Sequence, residues 1–287
     1  MLYIVGTPIG NVGDISPRAK EILESVDCIA CEDTRRTGLL LSSFSIKNKL
    51  MSYHEHNKAK RGEEILSLLR DGKNVAVVSD AGMPCISDPG EDLVRACRNE
   101  GLEVSVVPGP VAAVSALCVS GFSGERFVFE GFLPAAGKKR KERMLLLPKH
   151  DCTFILYEAP HRLLRTLEDF SKMGFSQRRI AFCRELTKKF EEVLIMTVEE
   201  AISVYQEKPP KGEFVLVIEG ASENLEEKSE NAMSMDAMEE RIKELYEKGV
   251  QTKQIAKELS LESDLSKKEI YKMAVQVLEN QEEEAGL

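Results

Sequence analysis

The chain has 287 residues, 43% of them hydrophobic and 30% charged, a balance that excludes a disordered chain and a length that suits about two domains. No apolar run approaches the roughly 18 residues of a membrane-spanning helix, and Met1-Leu2-Tyr3 lacks the basic flank of a secretion signal, so a soluble cytoplasmic protein is expected. The net charge of −9 is concentrated downstream of residue 221, with the first 221 residues close to neutral, so overall acidity does not exclude an RNA substrate.

The first strand is expected at 2–5 and runs into Gly6-Thr7-Pro8-Ile9-Gly10-Asn11. Ser16 and Pro17 have the chemistry of an N-cap and first helical residue, with Ala19, Ile22, Leu23 and Val26 at helical spacing behind them. A strand at 27–31 carries Cys28 and Cys31. Their spacing is that of a redox or zinc pair, but residues three apart on a strand face opposite sides and no second pair follows. The seven cysteines read as reduced core thiols. A strand at 49–53 leads to His54-Glu55-His56, which has two imidazoles for a metal but no third ligand, and so reads as a polar rim. A strand at 74–79 and a helix opened by Gly90-Glu91-Asp92 and stopped by Gly101 precede the strand at 103–107.

A second batch of strands is expected at 126–130, 152–157, 179–184, 192–197 and 213–219. Strands alternating with amphipathic segments predict α/β architecture with largely parallel sheets: one domain over 1–118 and a second over 119–221. Within the second, Lys138, Lys139, Arg140, Lys141 and Arg143 form a dense basic cluster behind the loop from Gly131 to Gly137, and contact with an RNA backbone is expected there. Residues 222–235 read as a polar, acidic linker. Over 236–287, three apolar sets (Met238, Ile242, Leu245 and Tyr246; Ile255, Ala256 and Leu259; Ile270, Met273, Ala274, Val277 and Leu278) predict three helices and an acidic tail. This segment is similar to a helix-turn-helix bundle, and a helical cap without a nucleic-acid role fits it equally.

Four Gly/Pro-rich loops follow strand ends: the Gly6 loop, Ser79-Asp80-Ala81-Gly82-Met83-Pro84, Pro108-Gly109-Pro110 and Glu158-Ala159-Pro160-His161-Arg162. In open α/β sheets ligands bind beyond the carboxyl ends of strands, so the four together predict one pocket. The first is not G-x-G-x-x-G, which disfavours a dinucleotide. Gly131 to Lys138 has the wrong glycine spacing for a P-loop and no Ser or Thr after the lysine, which disfavours a nucleoside triphosphate. A lining of Ile9, Met83, Ile86, Val111 and Ala112, with Asp80, Ser87 and backbone amides, suits a compact cofactor with an adenine face and no phosphate.

These loops, together with Cys31-Glu32-Asp33-Thr34-Arg35, the string from Ser79 through Cys85-Ile86-Ser87-Asp88-Pro89 to Gly90, and Tyr157 before Glu158, resemble the tetrapyrrole methylase superfamily from Leu2 to about Leu278. Within it they are similar to the branch of small-subunit ribosomal RNA cytidine 2′-O-methyltransferases. The resemblance implies two α/β domains with S-adenosylmethionine in the cleft between them, a homodimer, and cytidine 1402 of the 16S rRNA decoding centre as target, in free rRNA or the assembled subunit. It implies cofactor contacts from Pro8, Ile9, Asp80, Met83, Ile86, Ser87 and Pro110 to Ala112, with Tyr157 and the Phe214 to Leu216 strand closing the far side.

A ribose hydroxyl is a weak nucleophile, so transfer to it needs a proton acceptor. Glu158, His161 and Asp33 are expected to supply one, with Arg35 and Arg162 holding phosphate or orienting the base. Two other readings stay open: a methylase of a tetrapyrrole, which requires a large apolar second pocket, and a non-enzymatic ribosome-assembly factor with a vestigial cofactor site.

Overall fold

Short runs of small and β-branched residues form the first sheet, with strands β1 (Leu2–Val5), β2 (Cys28–Cys31), β3 (Leu50–Ser52), β4 (Val75–Val78) and β5 (Val104–Val107) in the order β3-β2-β4-β1-β5, all parallel. The computed structural model describes residues 1–220, 235–248, 250–262 and 267–284. Apart from Met235, the expected linker lies outside the described residues, as do the last three residues of the tail. Helices α1 (Pro17–Ser25), α2 (Thr34–Ser43), α3 (Lys58–Arg70) and α4 (Glu91–Asn99) cover the sheet's two faces. Burial on both sides is why β2 and β4 are continuously apolar rather than alternating. The capping expectation holds: Ser16 Oγ accepts from the Ala19 amide at 3.1 Å.

This strand order positions the site. β4, β1 and β5 are neighbours and parallel, so the loops that follow them emerge side by side. The chain leaving β1 crosses β4 to reach β2, whereas the chain leaving β4 crosses β1 to reach β5. Connections diverging from neighbouring strands open a crevice at the sheet's carboxyl edge.

The second sheet contains β6 (Phe127–Phe132), β7 (Thr153–Glu158), β8 (Arg179–Arg184), β9 (Glu192–Thr197) and β10 (Phe214–Ile218), in the order β6-β7-β10-β8-β9. Only β6 and β7 are parallel; the other three pairings are antiparallel, unlike the largely parallel sheet expected. The reason is connection length: residues 185–191 are too few for a crossover, which takes a dozen or more, so β8 and β9 form a hairpin. One face buries Phe154, Leu156, Phe182 and Leu216 under α7 (Pro160–Lys172) and α8 (Val198–Glu207). The other buries Ile155, Ala181, Cys183, Val215 and Val217 under α5 (Ala112–Ser120). The expected boundary at 118/119 therefore runs through a helix that follows the first sheet's last loop and packs on the second sheet. A short basic helix, α6 (Gly137–Met144), links β6 to β7.

The C-terminal unit has its own core. Met238 and Ile242 of α9 (Met235–Glu247), Ile255, Ala256 and Leu259 of α10 (Thr252–Glu262), and Ile270, Ala274 and Val277 of α11 (Lys267–Glu284) bury one another. Tyr246, expected among them, is 43% exposed. Among the described residues no helix is long and apolar enough to cross a membrane.

Candidate functional site

Glycine lets the strand-end loops touch backbone to backbone. A Cβ on Gly6 would lie 2.7 Å from Gly109 Cα and 2.6 Å from Met83 Sδ, so the loops after β1, β4 and β5 interlock there. Thr7 and Gly82 exchange backbone hydrogen bonds of 2.9 and 3.1 Å, and Thr7 Oγ1 donates to the Ser79 carbonyl at 3.1 Å. The second sheet joins from across the crevice: the Ala113 amide donates to the Tyr157 hydroxyl at 3.2 Å and the Asn11 amide to Thr187 Oγ1 at 3.0 Å.

These contacts enclose a cavity of about 440 Å³, within the size range of small-molecule sites. Ile9, Met83, Ile86, Val111 and Ala112 line it as expected, with Asp80 and Ser87 among its polar groups. Tyr157 closes the far side, held edge-on by Phe129 and Phe132. Pro8 and Pro110 are not among its lining residues. On β10, Phe214 borders the cavity and Val215 belongs to the apolar cluster on that side, but Leu216 is fully buried in the core on the opposite face. Strand alternation could have selected Val215 from the sequence.

A second cavity of about 550 Å³ adjoins the first, sharing Arg36 and Asp80 with it. Its walls are charged: Glu32, Asp33, Arg35 and Arg36 come from the end of β2 and the start of α2, and His54, Glu55 and His56 from the loop after β3. Arg36 Nη1 meets Asp80 Oδ2 at 3.1 Å at the junction. The histidines thus form the polar rim expected of them. Among the described residues no group of three or more His, Cys, Asp or Glu is placed to hold a metal.

The expected proton acceptors are not brought together. Glu158 lines the first cavity, is 2% exposed, and has both oxygens engaged: Oε1 by the Ala159 amide at 2.9 Å and Arg162 Nε at 3.2 Å, Oε2 by the Thr166 hydroxyl at 2.6 Å. Arg162 also donates to the Leu133 carbonyl, so the pair braces the loop after β7. His161 is exposed on the first turn of α7 and lines neither cavity. Asp33 caps α2 through the Arg35 amide at 2.8 Å and pairs with the Arg35 guanidinium at 2.8 Å, which holds its carboxyl far below the usual range. A carboxylate so stabilised is a poor base. Arg35, 87% exposed, faces the second cavity.

Sequence reasoning missed Asp88, which lines the first cavity. Burial, then the neighbouring charge of Glu32, pushes its carboxyl up to about 6, with a smaller push from Asp80 and an opposing hydrogen bond from Ser79. The available signal was its place inside the Ser79 to Gly90 string.

The basic cluster also divides. Lys138, Lys139 and Lys141 are exposed on α6, whereas Arg140 is 4% exposed, with Nη2 donating to Asp169 at 2.8 Å and to the Thr166 hydroxyl at 3.1 Å. Arg143 pairs with the buried carboxylate of Glu130. Arg140 is thus a structural cation rather than the free RNA contact expected. Arg140→Ala removes a buried guanidinium with its bonds to the buried Thr166 hydroxyl and the half-buried Asp169, so it should cost about 2 kcal/mol in urea unfolding while Lys139→Ala costs roughly nothing. Equal midpoints for the two variants would contradict this division.

Comparison with known proteins gives three kinds of match. The family model of tetrapyrrole (corrin/porphyrin) methylases matches residues 1–202. A protein of Synechocystis sp. named ribosomal RNA small subunit methyltransferase I is 43% identical over 96% of this chain and 98% of its own length. One of the same name from Thermotoga maritima is 50% identical over 76% of this chain and 98% of its own. Among solved structures, uroporphyrin-III-C-methyltransferase from Thermus thermophilus superposes with a TM-score of 0.55 at 21% identity, over 79% of this chain and 97% of its own, a likeness of fold.

Proposed function

The chain belongs to the tetrapyrrole (corrin/porphyrin) methylase family, and from that premise we propose that it is an S-adenosylmethionine-dependent methyltransferase of small-subunit ribosomal RNA, acting on the ribose 2′-hydroxyl of a cytidine, cytidine 1402 of the decoding centre. One observation carries the choice of substrate. The cofactor cavity opens at Arg36 and Asp80 into a second cavity walled by charged and imidazole side chains. A nucleotide, with its phosphates and polar base, suits such a wall; a tetrapyrrole needs a large apolar one.

The residues present fit the cofactor. The contact of Gly6 with Gly109 leaves backbone where side chains would otherwise fill the crevice, and a Cβ on Gly82 would crowd Ile9 Cγ2 at 3.3 Å and the Pro110 carbonyl at 3.4 Å. Ile9, Met83, Val111 and Ala112 offer an apolar face to an adenine, and the carboxylates of Asp80 and Glu213 lie in the lining to meet positive charge. When bound, S-adenosylmethionine supplies an electrophilic methyl group on a sulfonium. Arg35 and Arg36 are placed to hold phosphates of the acceptor, since exposed pairs such as theirs with Asp33 and Asp80 exchange readily for a phosphate. Glu158 and Arg162 keep the loop after β7 in position. Orienting acceptor and donor in this way is itself a large part of catalysis.

The same reading sets the reaction in the cytoplasm and in a homodimer. Exposed Leu194 and Ile195 on the edge strand β9, with Val114 and Val119 on α5, support a second copy as partner.

The test uses the purified full chain, labelled S-adenosylmethionine, and either naked 16S rRNA or small subunits from a strain deleted for the gene. Label mapped by mass spectrometry to one cytidine ribose is the expected result, and micromolar donor binding in calorimetry accompanies it. Label on a base, on a porphyrinogen, or nowhere contradicts the reading, and absence of binding heat points to an assembly factor instead.

A further inference from the structure

We propose that Asp88 is the catalytic base, taking the proton of the acceptor hydroxyl; the assignment rests on the methyl-transfer reading above. Its position is the first argument. Asp88 lines the cofactor cavity together with Tyr157 on the far wall and with Arg36 and Asp80, the two residues that also line the second cavity. The carboxyl therefore stands near the junction where a bound donor and an acceptor in the second cavity would meet.

The second argument is availability. Of the other carboxylates around the junction, Glu158 is committed to Ala159, Arg162 and Thr166, Asp80 to the Asp33 amide and Arg36, Asp33 to Arg35, and Glu213 to Lys188, while Glu32 is exposed on the wall of the second cavity and does not line the cofactor cavity. Among the described residues no cation pairs with Asp88. Its hydrogen-bond partner is the Ser79 hydroxyl, whose single proton also has the Ala81 and Gly82 carbonyls within 3.2 Å. Lone pairs of Asp88 are thus left for a proton.

The third is the backbone. Cys85 and Ser87 occupy the left-handed region at φ 71° and 63°, flanked by Gly82 at 84° and Gly90 at 135°. The second sheet supports this loop where it is strained: a Cβ on Gly131 of β6 would lie 3.1 Å from Ser87 Oγ. Strain of this kind persists where surrounding structure holds a segment in one conformation, and it clusters at reacting sites. Here it fixes the residue immediately after Ser87.

In the step itself, Asp88 takes the hydroxyl proton while an oxygen lone pair forms the bond to the methyl carbon. The electron pair of the breaking carbon–sulfur bond stays on sulfur, leaving a neutral thioether. The positive charge of the sulfonium and the negative charge of the carboxylate are both gone, and Asp88 then gives its proton to solvent. Glu32, Asp80, Glu91 and the Cys85 thiol surround the carboxyl and its loop with potential negative charge, Tyr157 faces it from β7, and the cation at the junction, Arg36, is already paired with Asp80. A base of raised basicity at neutral pH matches the task.

The test is single-turnover methylation of small-subunit RNA by the full chain between about pH 5 and pH 8.5, with donor affinity measured by calorimetry. The wild type should gain rate about tenfold per pH unit up to about pH 6 and level off above. Asp88→Asn should lower the plateau on the order of 10²–10⁴-fold, erase the pH limb and leave donor affinity within about threefold, while Asp88→Glu restores part of both rate and limb. Because the fold makes this carboxyl easier to protonate than the unfolded chain does, its ionisation weakens the fold as pH rises through about 6. Asp88→Asn should therefore melt no lower than the wild type at pH 8, and inactivity cannot be charged to unfolding. A wild-type rate and pH limb in Asp88→Asn overturn the proposal, as does a rate loss matched by lost donor binding. A wild type that labels no RNA overturns the methyl-transfer reading, and the proposal with it.

Discussion

Gly109→Ala should lower S-adenosylmethionine affinity about 100-fold in calorimetry, an effect larger than any expected from a single lining side chain. The added Cβ would sit 2.8 Å from Gly6 Cα, 2.9 Å from Gly6 C and 3.0 Å from Gly6 O. All three are backbone atoms, so no rotamer change relieves the clash. Carbon atoms settle at about 3.5–4.0 Å, so the loops after β1 and β5 must separate by roughly 1 Å, and strain of up to about 3 kcal/mol concentrated in the binding site is about 10²-fold in affinity. Overpacking of a close contact also costs about 1–3 kcal/mol of stability. Gly109 does not have a left-handed φ, so the effect measures approach rather than backbone strain. Gly62→Ala is the control. It lies within α3, and a Cβ added there would meet nothing within 4 Å, so it should gain roughly 0.5–1 kcal/mol of stability and leave donor binding unchanged. If Gly109→Ala binds donor as the wild type does, the cofactor is not held by the interlocked loops.

Strand positions were legible in the sequence because both sheets are buried on two faces and their strands are nearly uninterrupted apolar runs bounded by Gly, Pro and Asp. β8 and β9 have their expected bounds, and β1 does too. Strand direction was less legible, since an apolar run carries no polarity; only the shortness of 185–191 marks the β8–β9 hairpin. The lining of the first cavity was legible for a topological reason: loops after parallel neighbouring strands share an edge, so Ile9, Met83 and Val111 had to meet. What the sequence hid were partnerships. Asp33, Glu158 and Arg140 look like free charged side chains in a string of letters, yet a helix cap, a buried hydroxyl and a half-buried aspartate take them up. Asp88 was hidden for the converse reason. Its distinction is that no cation pairs with it among the described residues and that the residue before it is left-handed, and neither is written in the residue type.

Charge reversal on α6 should have the largest effect on RNA binding. Lys138, Lys139 and Lys141 project from this helix without a role in its packing: Lys138 has one loose pair, 3.6 Å from Glu142, and the helix is anchored instead by Arg140 and Met144. Affinity for a nucleic-acid backbone comes largely from releasing counterions, and each phosphate-contacting lysine contributes about one unit to the slope of log affinity against log salt. Replacing all three by Glu should flatten that slope by about 3 and weaken RNA binding on the order of 10²-fold or more at low salt. Donor affinity and the melting temperature should hold, because none of the three lines the first cavity or belongs to the core. Methylation should then fail through KM, with kcat recovered at saturating RNA, since Arg36, Asp80 and the rest of the first cavity's lining are untouched. An unchanged salt slope would remove α6 from the RNA-binding surface. It would leave the arginines at the start of α2 to carry that contact, because Arg35 and Arg36 are the exposed cations at the mouth of the second cavity.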